Sequence, residues 1–190
     1  MNHGLQRAAR VTVFPDAEWR VISGETPHPR ATFTRFVLPL ALIPAASWAL
    51  DLLLFGGYAS GGNVSLGASQ IFRGGLMAYA GMVLSICLCA ASIVIVAPLF
   101  TGLRNWSRAL QVAAYSSAPV LLGGILLILP NLAFALIVPY FHGLYLQYAG
   151  LQHVLAVKER DAAQYVALST LLLMVLSTIV GALGMWAGLL

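Results

Sequence analysis

Charge is what this sequence has least of. Asp, Glu, Lys and Arg make up 8% of its 190 residues while 60% are hydrophobic, too little polar surface to solvate a globule of that length. The six acidic residues are a particular scarcity. All but Asp51 fall outside the apolar stretches, so acid and base catalysis within a bilayer has little to work with. Hydrolase signatures are missing too: there is no His-Glu-x-x-His zinc site, no Gly-x-Ser-x-Gly elbow and no close pair of carboxylates in an apolar stretch. Cysteine is nearly absent. Cys87 and Cys89 stand two apart, so a helix points them to nearly opposite faces and they cannot bridge each other; with no His or Cys at ligand spacing they read as small packing residues rather than a metal site. The sequence implies no cofactor and no metal.

Ten-residue alternating segments are lacking as well, which argues against a transmembrane barrel. Five long apolar runs are present instead, at residues 36–55, 76–100, 109–129, 132–157 and 165–190. A helix needs about 20 such residues to cross a hydrocarbon core of about 30 Å, and lipid demands internal backbone pairing. The expected fold is therefore all-α, an integral membrane bundle of five transmembrane helices. Residues 1–35 form a separate N-terminal arm and residues 36–190 the membrane domain. The arm is too polar for a secretory signal and no small-residue cleavage site follows a short apolar core, so the first span is expected to be retained.

Cations set the orientation, because short basic loops stay cytoplasmic. Arg7, Arg10, Arg20, Arg30 and Arg35 precede span one, Arg104 and Arg108 lie between spans two and three, and Lys158 and Arg160 lie between spans four and five. Arg73 alone falls on the other side. This predicts a multi-pass protein of the bacterial inner membrane with its N-terminus cytoplasmic and its C-terminus outside. The formal charge of +4 suits contact with anionic headgroups. Nucleic-acid binding is not expected, since no basic cluster is dense or interleaved with aromatics on a soluble surface.

In the arm, residues 14–22 predict a short helix: Pro15 suits a first turn, Asp16 and Glu18 favour the positive end of the dipole, and Gly24 ends it. Trp19 prefers the headgroup level, which suggests a helix lying on the inner surface, with a plain disordered tail as the alternative. Residues 56–75 read as a flexible Gly and Ser-rich external loop, not a phosphate loop, because the Lys and the preceding strand are missing. Pro130 and Asn131 leave room only for an antiparallel hairpin of spans three and four. Pro119 and Pro139 should kink those spans. Ser177, Gly181, Gly184 and Gly188 share one helical stripe that lets another helix approach closely, either from this chain, the preferred reading, or from a second copy.

Polar residues at membrane depth are the functional candidates. Asp51 and Arg73 are placed to pair across the external loop, or Asp51 simply reaches the outer interface. Span four is the most polar: His142, Tyr145, Gln152 and His153 share a face, read either as a proton or solute path or as interhelical hydrogen bonding. One ion cannot bridge the two histidines, which are about 16 Å apart along a helix.

Around span three the residues become distinctive: Asn105-Trp106-Ser107-Arg108-Ala109-Leu110, then Ala114-Tyr115-Ser116-Ser117-Ala118-Pro119, then Pro130. With Phe14-Pro15-Asp16-Ala17-Glu18-Trp19, Glu25, and Tyr145-Leu146-Gln147-Tyr148-Ala149-Gly150-Leu151, the chain resembles the bacterial branch of the Yip domain family. These are five-span membrane proteins whose eukaryotic members interact with Ypt and Rab GTPases. The sequence keeps Tyr115, Ser117 and Pro119 of the eukaryotic Tyr-Gly-Tyr-Ser-Leu-x-Pro segment and lacks its Gly and second Tyr. The resemblance implies a non-enzymatic protein of membrane organisation or lipid homeostasis, with lipids, other membrane proteins or a second copy as partners. Its cytoplasmic face would comprise Arg104, Trp106, Arg108 and the arm around Trp19. The alternative is a small-solute transporter or lipid-translocating protein using Tyr115, Ser117, Pro119, His142, Tyr145 and Gln152.

Overall fold

The computed structural model describes residues 2–55, 67–100 and 104–186. Among them all regular structure is helical. The arm holds α1 (Asn2–Val13) and α2 (Pro15–Gly24), with a bend at Phe14 where Pro15 opens the second helix. A short α3 (Pro29–Thr32) leads through a π-helical turn, Phe33–Val37, into α4 (Leu38–Phe55). Next come α5 (Ala68–Val96), α6 (Trp106–Ser116), α7 (Ala118–Gly123), α8 (Ile137–Leu155) and α9 (Glu159–Trp186).

Five helical stretches are long and apolar enough to cross a membrane: Pro29–Phe55, Ala68–Leu99, Trp106–Ile128, Asn131–Leu155 and Glu159–Trp186. The first, second and fifth begin earlier than hydropathy suggests because the helix continues through polar residues at their starts. Residues 68–75, expected as loop, are the first two turns of α5; the rest of that loop, residues 56–66, lies outside the described residues.

Prolines shape the third and fourth spans. The α-helix breaks at Ser117, and Pro119 enters as the second residue of α7, where its missing N–H does least harm. From there residues 124–128 and 130–136 wind as 3-10 helix around Leu129, and Pro139 falls in the first turn of α8 instead of kinking its interior. The expected antiparallel hairpin forms: α7 packs on α8. Pro44, inside α4, sits against Gly124, where a Cβ would stand 2.6 Å from the proline Cβ. Only glycine allows the two helices to approach that closely.

Burial is concentrated at one end. Buried side chains run through α6, from Gly143 to Leu155 in α8, mainly from Ile86 inward in α5, and from Ala162 to Ser169 in α9. The opposite end turns Phe72, Leu76, Ile125, Phe134 and Ile137 outward, and α9 presents Leu171, Val175, Ile179, Leu183 and Trp186, as helices facing hydrocarbon do. The arm belongs to the buried end. It packs as a helical hairpin on α6, α7 and α8.

Candidate functional site

The arm is held by charge, aromatic packing and backbone capture together. Trp19 is fully buried. Its ring lies where a Cβ on Gly150 would come within 2.9 Å, so α2 seats in a glycine notch of α8. Tyr115 meets the Trp19 ring edge-on at 6.3 Å and the Phe36 ring at 4.7 Å, and the Arg7 guanidinium stands 5.5 Å over the Tyr115 ring. Arg7 donates from Nε to Glu18 at 3.0 Å and also pairs with both carboxylate oxygens of Glu25. Arg10 adds a 3.2 Å contact to Glu18. Burial alone would lower the Arg7 pKa, but the hydrogen bonds from Glu25 and then Glu18 more than reverse it, so the guanidinium is held charged. Arg108 donates to the Ser23 carbonyl at 3.0 Å and so satisfies the open end of α2. Asn105 caps α6 by accepting from the Arg108 amide.

This geometry redistributes the residues singled out from the sequence. Trp19, expected at headgroup level, is in the protein core. Of the expected cytoplasmic face, Arg104 and Trp106 are exposed while Arg108 is occupied by α2. His142 donates from Nε2 to the Thr12 carbonyl at 2.9 Å, tying α8 to the tip of the arm, where Val13 and Phe14 are exposed. His153 bonds its own helix at the Ala149 carbonyl. Tyr145 faces outward and Gln152 is half-buried. The polar face of span four is thus divided between the arm, the helix backbone and the exterior.

Tyr115 belongs to the arm cluster. Ser117 lines a cavity of about 150 Å³ between α5, α6, α7, α8 and α9, whereas Pro119 is buried and is not part of its lining. Ser116 and Thr170 line the same cavity with hydroxyls that have no hydrogen-bond partner, beside Gln147, which donates to Ser169 at 3.0 Å.

Asp51 and Arg73 do not pair: among the described residues no ion pair joins them. Asp51 is 1% exposed with Oδ1 unpartnered, whereas Arg73 is exposed beside the outward-turned Phe72. The small-residue stripe of α9 also departs from the preferred reading. Among the described residues a Cβ on Gly181 would meet nothing within 4 Å, so no described helix packs closely there; Gly188 lies outside the described residues.

Sequence reasoning missed Arg7, Glu18, Glu25 and Gln111 as a set. The signal was available in Arg7 and Arg10 before Pro15 and Asp16, Glu18 and Glu25 after it, the pattern of a hairpin with complementary faces. Below the hairpin a second cavity, about 250 Å³, is lined by Arg7, Glu25, His28, Arg35, Gln111 and Tyr115 among others.

Comparison with protein families gives one match, to the Yip1 domain, over residues 9–181. No curated protein and no solved structure matches the chain.

Proposed function

The chain belongs to the Yip1 domain family, and from that premise we propose that it is a non-enzymatic scaffold or adaptor in membrane organisation or lipid homeostasis. It would sit in a bacterial inner membrane with the arm in the cytoplasm. The clustering of Arg7, Arg35, Arg108 and the Lys158 end of α8 at the arm's end of the bundle supports that orientation. The observation that carries the adaptor reading is α9: its outer half is apolar and exposed, and Gly181 is open to the close approach of another helix. α9 is anchored to the bundle through α5 and α8, which leaves its outer face free for such a helix.

A translocation path along α8 has less support, because the His142 imidazole is held by the Thr12 carbonyl. The test is site-specific photocrosslinking in membranes from position 178 or 181. Covalent products containing a second membrane protein or a second copy are expected. Lipid adducts alone, with Gly181→Leu leaving every product unchanged, would exclude a protein partner on this face.

A further inference from the structure

The cavity beneath the hairpin carries both signs of charge, and its groups are unequally satisfied. Arg7 is engaged by Glu18 and Glu25. Arg35 enters no ion pair among the described residues and lines the cavity with His28. The Glu25 side chain is 40% exposed, leaving room for a further donor. Gln111, 2% exposed, lines the same cavity with an Oε1 that accepts from nothing. A buried amide oxygen is costly to leave unpaired. Arg35 and Phe36 both come from the π-helical turn Phe33–Val37, a distortion often found where a helix serves a site. That turn lies at the start of the first membrane-crossing stretch, Pro29–Phe55, so the cavity opens at the depth of lipid headgroups.

The ligand that satisfies these groups needs an anion for Arg35 and His28 and an N–H donor for Gln111 Oε1 and Glu25. We propose that the cavity holds the headgroup of an ethanolamine phospholipid, the phosphate toward Arg35 and the ammonium toward Gln111. A choline headgroup has the same charges but no N–H to donate. A glycerol headgroup has no cation for Glu25. The assignment follows from the cavity's own chemistry and holds whether or not α9 has a partner.

The experiment uses the full chain purified in detergent and reconstituted in nanodiscs containing phosphatidylethanolamine, phosphatidylcholine or phosphatidylglycerol, with retained lipid counted by native mass spectrometry. Retention of the ethanolamine lipid should exceed that of the choline lipid about tenfold, the discrimination a hydrogen-bonding site gives against an analogue lacking the donor. Gln111→Met, similar in volume but without an acceptor, should bring the two within about threefold of each other. Arg35→Gln should weaken both alike, because the phosphate is common to them. Equal retention by the unaltered chain, or a preference that survives Gln111→Met, overturns the proposal. Should Gln111→Met not fold, unchanged retention by Arg35→Gln overturns it instead. Glycerophosphoethanolamine competing as well as the intact lipid would overturn the lipid as occupant.

Discussion

Trp19→Ala is the most direct test of how the arm is held. A buried tryptophan removes about 150–250 Å² from water, which at about 25 cal/mol per Å² contributes about 4–6 kcal/mol. Its indole Nε1 has no partner, and that unmade hydrogen bond takes back about 1 kcal/mol. The net of about 3–5 kcal/mol matches the usual cost of a buried Trp→Ala change. Because the arm touches the bundle through this ring, the buried Ala8, Val11 and Ile22, the Arg7 contact with Tyr115 and two carbonyl contacts, the loss should appear as local opening and not as unfolding of the helices in lipid.

The assay places a cysteine at the fully buried Ala8 in a chain with Cys87 and Cys89 removed, and follows thiol modification in membranes. With rapid reclosing, the modification rate tracks the open population, so Trp19→Ala should raise it about 100- to 5,000-fold. Gly150→Val attacks the same contact from α8, where the new side chain would meet the ring at 2.9 Å and Val112 at 3.2 Å, and should act in the same direction. Combined with Trp19→Ala it should add little, since both remove one interaction. Trp19→Phe, which sheds the unpartnered N–H along with some area, should change the rate by no more than about tenfold. A Trp19→Ala rate within about threefold of the parent would refute the reasoning, because burial worth so little would not hold the hairpin.

Gly124→Ala should destabilise the α4 contact by about 1–3 kcal/mol, since the added methyl would lie 2.6 Å from the Pro44 Cβ and 2.9 Å from its Cα; a lowered thermal midpoint in detergent checks it. Tyr165→Phe removes the hydroxyl that donates to the Ile93 carbonyl at 2.7 Å and leaves that carbonyl accepting from the Ala97 amide alone, so a loss of about 0.5–1.5 kcal/mol is expected in the same measurement. A periplasm-active reporter fused after Leu190 should be active, and a cytoplasm-active one silent; the reverse would overturn the orientation.

Hydropathy sufficed for five helices, and the missing alternation excluded a barrel, because a bilayer leaves each long apolar run a single way to pair its backbone. The Pro130 hairpin was legible for a similar reason: two residues cannot separate consecutive spans. Where a helix starts was less legible. At residues 29–35 and 68–75 polar side chains end the hydropathy signal without ending the hydrogen-bond ladder.

The partners of the candidate residues were the part the sequence did not show. Span four's polar residues do share a helix, but periodicity states only which side chains lie together, not what lies opposite. His142 was matched to a carbonyl 130 positions away, and Asp51 was turned inward from Arg73. Trp19 carried an interfacial preference in the sequence and became core because Gly150 offered it a notch.

Composition thus determined the solvent, the helical class and the number of crossings, properties that follow from solvation summed along the chain. Only the tertiary structure decided that the arm is part of the fold, that Arg7 is neutralised by two glutamates, and that Gln111 faces a cavity. Those outcomes depend on distances between residues remote in sequence, and on a buried group's need for whichever partner the packing brings within reach.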